Sequence, residues 1–148
     1  MNIEKKQSEM ETFFLALADK TRLRLLNLMR EGEICVCFLV EVLNESQPKI
    51  SRHLAYMRSA GIVEARRDGK WMHYRIITPK DDFAAQLLQN TLTWMSSQKK
   101  MQTEYEKLRE ICFFSNNTIT LTYAPIPNIF AKTNMSKKQN RELDTFLL

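Results

Sequence analysis

The sequence predicts a mainly α-helical domain that carries one β-hairpin, an α+β chain in which helices come first and a further helix follows the hairpin. Three observations predict it. Apolar residues recur at helical spacing between Phe13 and Met57. The period changes after Gly61 to two β-prone runs around Asp68-Gly69. Beyond Pro79 an apolar stripe returns at helical spacing, from Ala84 to Met95. With 148 residues the chain has room for one domain with a modest core, plus a tail.

Taken in order, Phe13, Phe14 and Leu17 give a first helix its apolar face, and Asp19 interrupts it. Leu23, Leu25, Leu26, Leu28 and Met29 form a second helix that ends at Glu31-Gly32. A third, short helix is expected over Cys35 to Asn44, with Phe38, Leu39, Val42 and Leu43 buried. Asn44-Glu45-Ser46 is a turn, Ser46 a good N-cap, and Pro48 falls in the first turn of the next helix, where its missing amide has no intrahelical partner to lose. That fourth helix spans Gln47 to Ser59, and Gly61 stops it. Ile62 to Arg67 and Trp71 to Ile77 make the hairpin, which Pro79 ends. Ala84, Leu87, Leu88, Leu92 and Met95 then lie on one long helix expected to reach about Ile111. An apolar stripe that long on a terminal helix, with little core left to cover, predicts dimerisation through the first and last helices. Residues 1–112 thus form one domain. Residues 113–148, with Asn116-Asn117, a Thr-rich run, Pro125, Pro127 and a polar stretch at Lys137 to Arg141, are expected to be an irregular tail, with Ile119 to Tyr123 suited to an extended segment.

Two short helices joined by a tight turn and followed by a hairpin make a winged helix-turn-helix, an arrangement that places its second helix in the DNA major groove. Here that helix is Gln47 to Ser59: Gln47, Lys49, Ser51, Arg52 and His53 occupy its first two turns, while Ile50, Leu54 and Met57 face the core. Arg66, Arg67 and Lys70 on the wing are placed for the phosphate backbone. Charge agrees. Between Gln47 and Arg75 seven basic side chains stand against Glu64 and Asp68, a local excess equal to the formal +5 of the whole chain. His53 also suits a structural role, and Arg58 plain solvation.

Cys35 and Cys37 form the second constellation. Thiols near a helix N-terminus have a depressed pKa, since free amides and the helix dipole favour the anion, and soft sulfur ligands select thiophilic ions over magnesium or calcium. Within an α-helix, residues two apart point about 200° apart, so both sulfurs could reach one ion only if the first turn of the third helix unwound or tilted. Ligand binding would then disturb the helix packed before the DNA-reading helix. A pair of inert, buried cysteines remains the plain alternative.

Other classes are disfavoured. The charged N-terminus, Met1 to Gln7, and the lack of a long apolar run predict neither a secretion signal nor a membrane span, hence a cytoplasmic protein with no membrane partner. Three cysteines, two of them one residue apart, fit a reducing compartment better than a disulfide scaffold. A dithiol redox enzyme built on Cys35 and Cys37 lacks a nucleophile–base–orienter set, so no enzyme is expected.

Four motifs in order, Ala18-Asp19-Lys20-Thr21-Arg22-Leu23, Ile34-Cys35-Val36-Cys37, Ser46-Gln47-Pro48-Lys49-Ile50-Ser51-Arg52-His53-Leu54 and Gly69-Lys70-Trp71-Met72-His73-Tyr74-Arg75, resemble the ArsR/SmtB family of winged-helix metalloregulators, and within it the arsenical-resistance repressors. The resemblance covers about Glu9 to Ile77, and loosely the helix to Cys112. It implies a homodimer that represses an arsenic-resistance operon at a palindromic operator and releases it when As(III) or Sb(III) engages Cys35 and Cys37, with no cofactor required. Arsenical repressors often carry a third cysteine three residues after the pair; here Val40 stands there, and Cys112 is the one further thiol that could serve. Relatives sensing cadmium or lead add cysteines in an N-terminal extension, and residues 1–34 contain none. Zinc- and nickel-type relatives use Asp and His on the last helix; Asp81 and Asp82 are present, but no histidine follows His73. A repressor sensing cadmium, lead or redox state through the same pair is the alternative.

Overall fold

A computed structural model describes residues 2–113 and 124–130. Asn2 caps α1 (Ile3–Leu17) through its side chain. Arg22 closes the other end, its guanidinium donating to the carbonyls of Leu15 (2.8 Å) and Ala16 (2.9 Å), two of the acceptors a helix C-terminus leaves without intrahelical partners. Asp19 caps α2 (Lys20–Met29) by accepting from the Arg22 amide at 3.0 Å. β1 (Ile34–Cys35) leads directly into α3 (Val36–Leu43), whose end is turned by Asn44 in the left-handed region at φ 51°. Ser46 caps α4 (Gln47–Ser59), and Pro48 sits at its start as expected.

The hairpin consists of β2 (Val63–Asp68) and β3 (Trp71–Ile76), joined by Gly69-Lys70. Gly69, at φ +59°, is the first central residue of a two-residue loop, the place where a II′ turn requires glycine. β1 adds a third antiparallel strand on the β3 side, pairing Ile34 with Tyr74 and Cys35 with His73. The sequence placed Cys35 inside the third helix. The ladder to β3 holds it extended instead, because a two-residue strand is too short to show any period.

The single long terminal helix is also corrected. α5 (Asp82–Ser97) stops at Gln98, whose backbone is extended, and α6 (Lys99–Phe113) starts afresh. The side chains of Ser96, Ser97 and Gln98 donate to the carbonyls of Thr93 and Trp94, an alternative to continuing the helix. α6 then folds back on α2 and α3. Tyr105, Leu108 and Cys112 are buried, Asn27 donates to the Met101 carbonyl, Arg24 pairs with Glu104, and Lys107 reaches the Val42 carbonyl. The sequence reading expected little core left for the terminal helix to cover, whereas α6 buries Tyr105, Leu108 and Cys112 against the core, and large exposed apolar side chains sit on α1 (Ile3, Phe14, Leu15) and α5 (Phe83, Trp94).

From the segment after residue 113, Ala124 and Phe130 are buried, and Phe130 packs its ring on Tyr105 and Phe113. The Thr-rich run, Ile119 to Tyr123 and Lys137 to Arg141 lie outside the described residues. Among the described residues no helix is long and apolar enough to cross a membrane.

Candidate thiol site and nucleic-acid interface

Cys35 ends β1 and occupies the N-cap position of α3, at φ −66° and ψ 139°, while Cys37 is the second helical residue. The angle expected between two helical residues therefore does not apply. The two Sγ atoms lie 3.2 Å apart with α3 intact, so a shared ion requires no unwinding, and the proposed strain at the first turn is withdrawn. Cys35 is buried and Cys37 half-buried.

One proton lies between the sulfurs. The Cys37 thiol donates to Cys35; that bond, against the opposing effect of burial and with help from the Cys37 and Val36 amides, lowers Cys35 to about 7, while the Asp68 charge opposes. Cys37 is correspondingly pushed up, first by giving its proton to that bond, then by burial and the Cys35 charge. Near neutral pH the site is therefore a thiolate–thiol pair in about half of the molecules. Cys112 is buried in α6, and burial, followed by the charge on Cys35, pushes its thiol up to about 12. It lies within electrostatic reach of Cys35, yet among the described residues no third Cys, His, Asp or Glu converges with the pair into a three-ligand cluster. Val40, three residues beyond Cys37, offers no donor.

His73 stands across the ladder from Cys35. It is 5% exposed, its Nε2 has no hydrogen-bond partner, and the nearest charges are Asp68 Oδ2 at 3.6 Å from Nε2 and Glu33 Oε1 at 3.8 Å from Nδ1.

On α4, Ile50, Leu54 and Met57 are fully buried, which fixes the outward face. Gln47 and Arg52 are exposed on it, Ser51 is half-buried, and Lys49 is paired with Glu45 at 2.9 Å. His53 turns the other way: its Nδ1 lies 3.3 Å from Arg22 Nη1 and 3.7 Å from Asp19 Oδ1, so it joins the reading helix to the start of α2. Arg22 also stacks on Tyr56, 4.3 Å from the ring centroid. On the wing, Arg67 and Lys70 are exposed, Lys70 lying 5.0 Å from the centroid of the Trp71 ring. Arg66 is held by the Glu33 carboxylate, with Nη2 at 2.6 Å and Nε at 3.1 Å from Oε1.

Sequence reasoning missed Arg22, Glu33 and His73. Glu33 meets Arg66 across 33 positions and Arg22 meets His53 across 31, separations at which a single sequence carries no periodic signal.

The chain is similar to known proteins. Residues 19–65 match the bacterial regulatory protein, arsR family. The chain is 44% identical over 101 residues to the arsenical resistance operon repressor of Escherichia coli K12, covering 67% of this chain and 85% of that protein. In structure it is similar to the transcriptional repressor BigR from Xylella fastidiosa, with TM-score 0.54 and 34% identity over 66% of this chain and 93% of that one. It is also similar to the homodimeric winged helix-turn-helix DNA-binding domain of Mb0332 from Mycobacterium bovis, a possible ArsR-family regulator, with TM-score 0.53 and 27% identity over 64% of this chain and 86% of that one.

Proposed function

Because the chain belongs to the ArsR family of bacterial transcriptional regulators, winged helix-turn-helix DNA-binding proteins, we propose that it is an As(III)- or Sb(III)-responsive repressor. It binds a palindromic operator as a homodimer and leaves it when the metalloid engages Cys35 and Cys37. The observation that carries this reading is the 3.2 Å thiolate–thiol pair, two soft donors assembled at one point with one of them ready to attack. Arsenous acid reacts with such a pair by exchange: two As–S bonds replace two As–O bonds, and the two displaced hydroxides leave as water, one with the Cys37 thiol proton and the other with a proton taken from solvent. The third position on arsenic keeps its hydroxide or takes a thiol from solution. Cys112, buried and protonated, remains outside the exchange.

The reading helix contributes Gln47, Lys49, Ser51 and Arg52 to the groove and its flanking phosphates, and Arg67 and Lys70 hold the backbone from the wing. His53 positions that helix through Arg22 and Asp19, and Arg66 reaches DNA only by leaving Glu33.

The closeness of the sulfurs favours one second reading, in which an oxidant closes them into a disulfide. Operator binding measured at fixed salt on the protein's own promoter DNA, with reductant present in the arsenite arm and absent from a peroxide arm, separates the two. Arsenite should release the wild type at least tenfold, whereas a Cys35→Ser/Cys37→Ser variant should bind DNA and ignore arsenite. Release of that variant by arsenite would overturn the assignment, and release of the wild type by peroxide alone would favour the oxidant.

A further inference from the structure

With the sulfurs already together, the signal needs a route other than unwinding of α3. Cys35, His73 and Arg66 are paired in register across β1, β3 and β2, so the three side chains form one row on one face of the sheet. Directly opposed residues in such a ladder have Cβ atoms about 5 Å apart, close enough for a shift of one to be felt by the next. Glu33 immediately precedes β1, two residues before Cys35, and its carboxylate reaches back along the row to Arg66 and to within 3.8 Å of His73 Nδ1. β1 itself is two residues long and is paired on one side, to β3. A movement of Cys35 is therefore placed to reach Glu33, the partner of Arg66.

We propose that the metalloid signal leaves the thiol pair through the wing, with Glu33 and His73 as the coupling residues and Arg66 as the output. The inference rests on the metalloid-responsive reading of Cys35 and Cys37. A phosphate and the Glu33 carboxylate compete for the same guanidinium fork, since each presents two anionic oxygens that accept from it together. In the free protein Glu33 holds Arg66. Operator binding transfers Arg66 to a phosphate, at the expense of a pair that is half-exposed and correspondingly easy to open. A metalloid on Cys35 fixes the end of β1 and with it the carboxylate, which keeps Arg66 from the DNA. A ligand shifts an equilibrium only through its differential affinity for the two states, and here the difference lies in where Glu33 is held.

The test uses the full chain and arsenite, with three readouts: arsenite binding followed by sulfur-to-arsenic absorbance, operator affinity with and without arsenite, and the slope of log affinity against log salt. Glu33 is partly exposed, so Glu33→Gln is expected to fold. It should bind arsenite as the wild type does, bind operator about threefold or more tightly without it, and show a release ratio at least threefold smaller. Arg66→Gln should lower the salt slope by about one, the signature of one lost phosphate contact, and also reduce the release ratio. In the Glu33→Gln/Arg66→Gln double variant the gain in affinity from Glu33→Gln should vanish. A Glu33→Gln protein that binds arsenite and keeps the wild-type release ratio would overturn the wing route while leaving the thiol assignment standing. If the wild type itself takes up no arsenite, it is the thiol assignment that fails, and the coupling with it.

Discussion

Asn27, fully buried in α2, donates its side-chain amide to the carbonyl of Met101 in α6 at 2.9 Å, and Arg30 in turn donates to the Asn27 Oδ1. This bond ties α6 down as a lid on the core and distinguishes it from an extension of α5. Asn27→Ala removes the donor and leaves a small void where the amide sat. A cost of about 1–3 kcal/mol is expected in urea unfolding. Hydrogen exchange should rise first along Lys99–Phe113, before α2 loses protection.

Arg22 performs three tasks: it caps the end of α1, lies against His53, and stacks on Tyr56. Arg22→Ala should therefore cost about 2–3 kcal/mol, as charge-assisted bonds to two carbonyls are lost together. Operator affinity should fall several-fold at constant salt slope, because α4 is displaced while no phosphate contact is removed. A reduced slope would show instead that Arg22 itself touches DNA.

The helices and the wing were legible because their signals are local. Ser46 with Pro48 announces α4, Asp68-Gly69 announces the hairpin, and Ile50, Leu54 and Met57 mark which side of α4 faces outward. Two features were not local. Cys35 is extended because β3 pairs with it from 38 positions away, and without that partner Cys35-Val36-Cys37 reads as the start of a helix. The break at Gln98 was hidden for a different reason. Serine and glutamine are tolerated in helices, and whether they back-bond and stop one depends on what the following segment can bury, here Tyr105, Leu108 and Cys112 against α2 and α3. The consequence for the site was large, since the strand position of Cys35 turned an expected strain into a ready pair.

Asp19 supplies a pH-dependent contribution. Burial pushes its carboxyl up, but the Arg22 amide and guanidinium, the neighbouring His53 and the Thr21 amide outweigh it and hold it below the ordinary carboxylate range. A folded-state value below the unfolded one means that the charge stabilises the fold above the unfolded value of about 3.9 and that this contribution is lost as pH falls through the folded value. Asp19→Asn keeps a capping oxygen and removes the charge. The variant should be less stable than the wild type at pH 7, and the two urea midpoints should converge in acid. A difference that persists in acid would assign the effect to cap geometry.

Cys112 is expected to be a bystander. Burial holds its thiol protonated at neutral pH, and it does not converge with Cys35 and Cys37. Cys112→Ala should retain one arsenite per protomer and a release midpoint within about twofold, with a stability loss of about 1 kcal/mol from the small cavity. A loss of arsenite affinity of tenfold or more would place the third sulfur in the site.

Gly32 tests how firmly the segment 124–130 is seated. A Cβ built on Gly32 would lie 2.7 Å from Ile129 Cγ2, closer than carbon atoms approach, and a branched methyl cannot swing aside as the end of a long chain would. Gly32 needs no left-handed backbone, so alanine is tolerated by the main chain and narrows the unfolded ensemble, a gain of about 0.4–1 kcal/mol. Against this stands the displacement of Ile129 and, with it, of Phe130 from the rings of Tyr105 and Phe113. Because the two effects oppose each other, Gly32→Ala should leave the unfolding midpoint nearly unchanged. Protease sensitivity and hydrogen exchange at 124–130 should rise sharply. Protection at the wild-type level would mean that the contact at Gly32 can relax without releasing the segment.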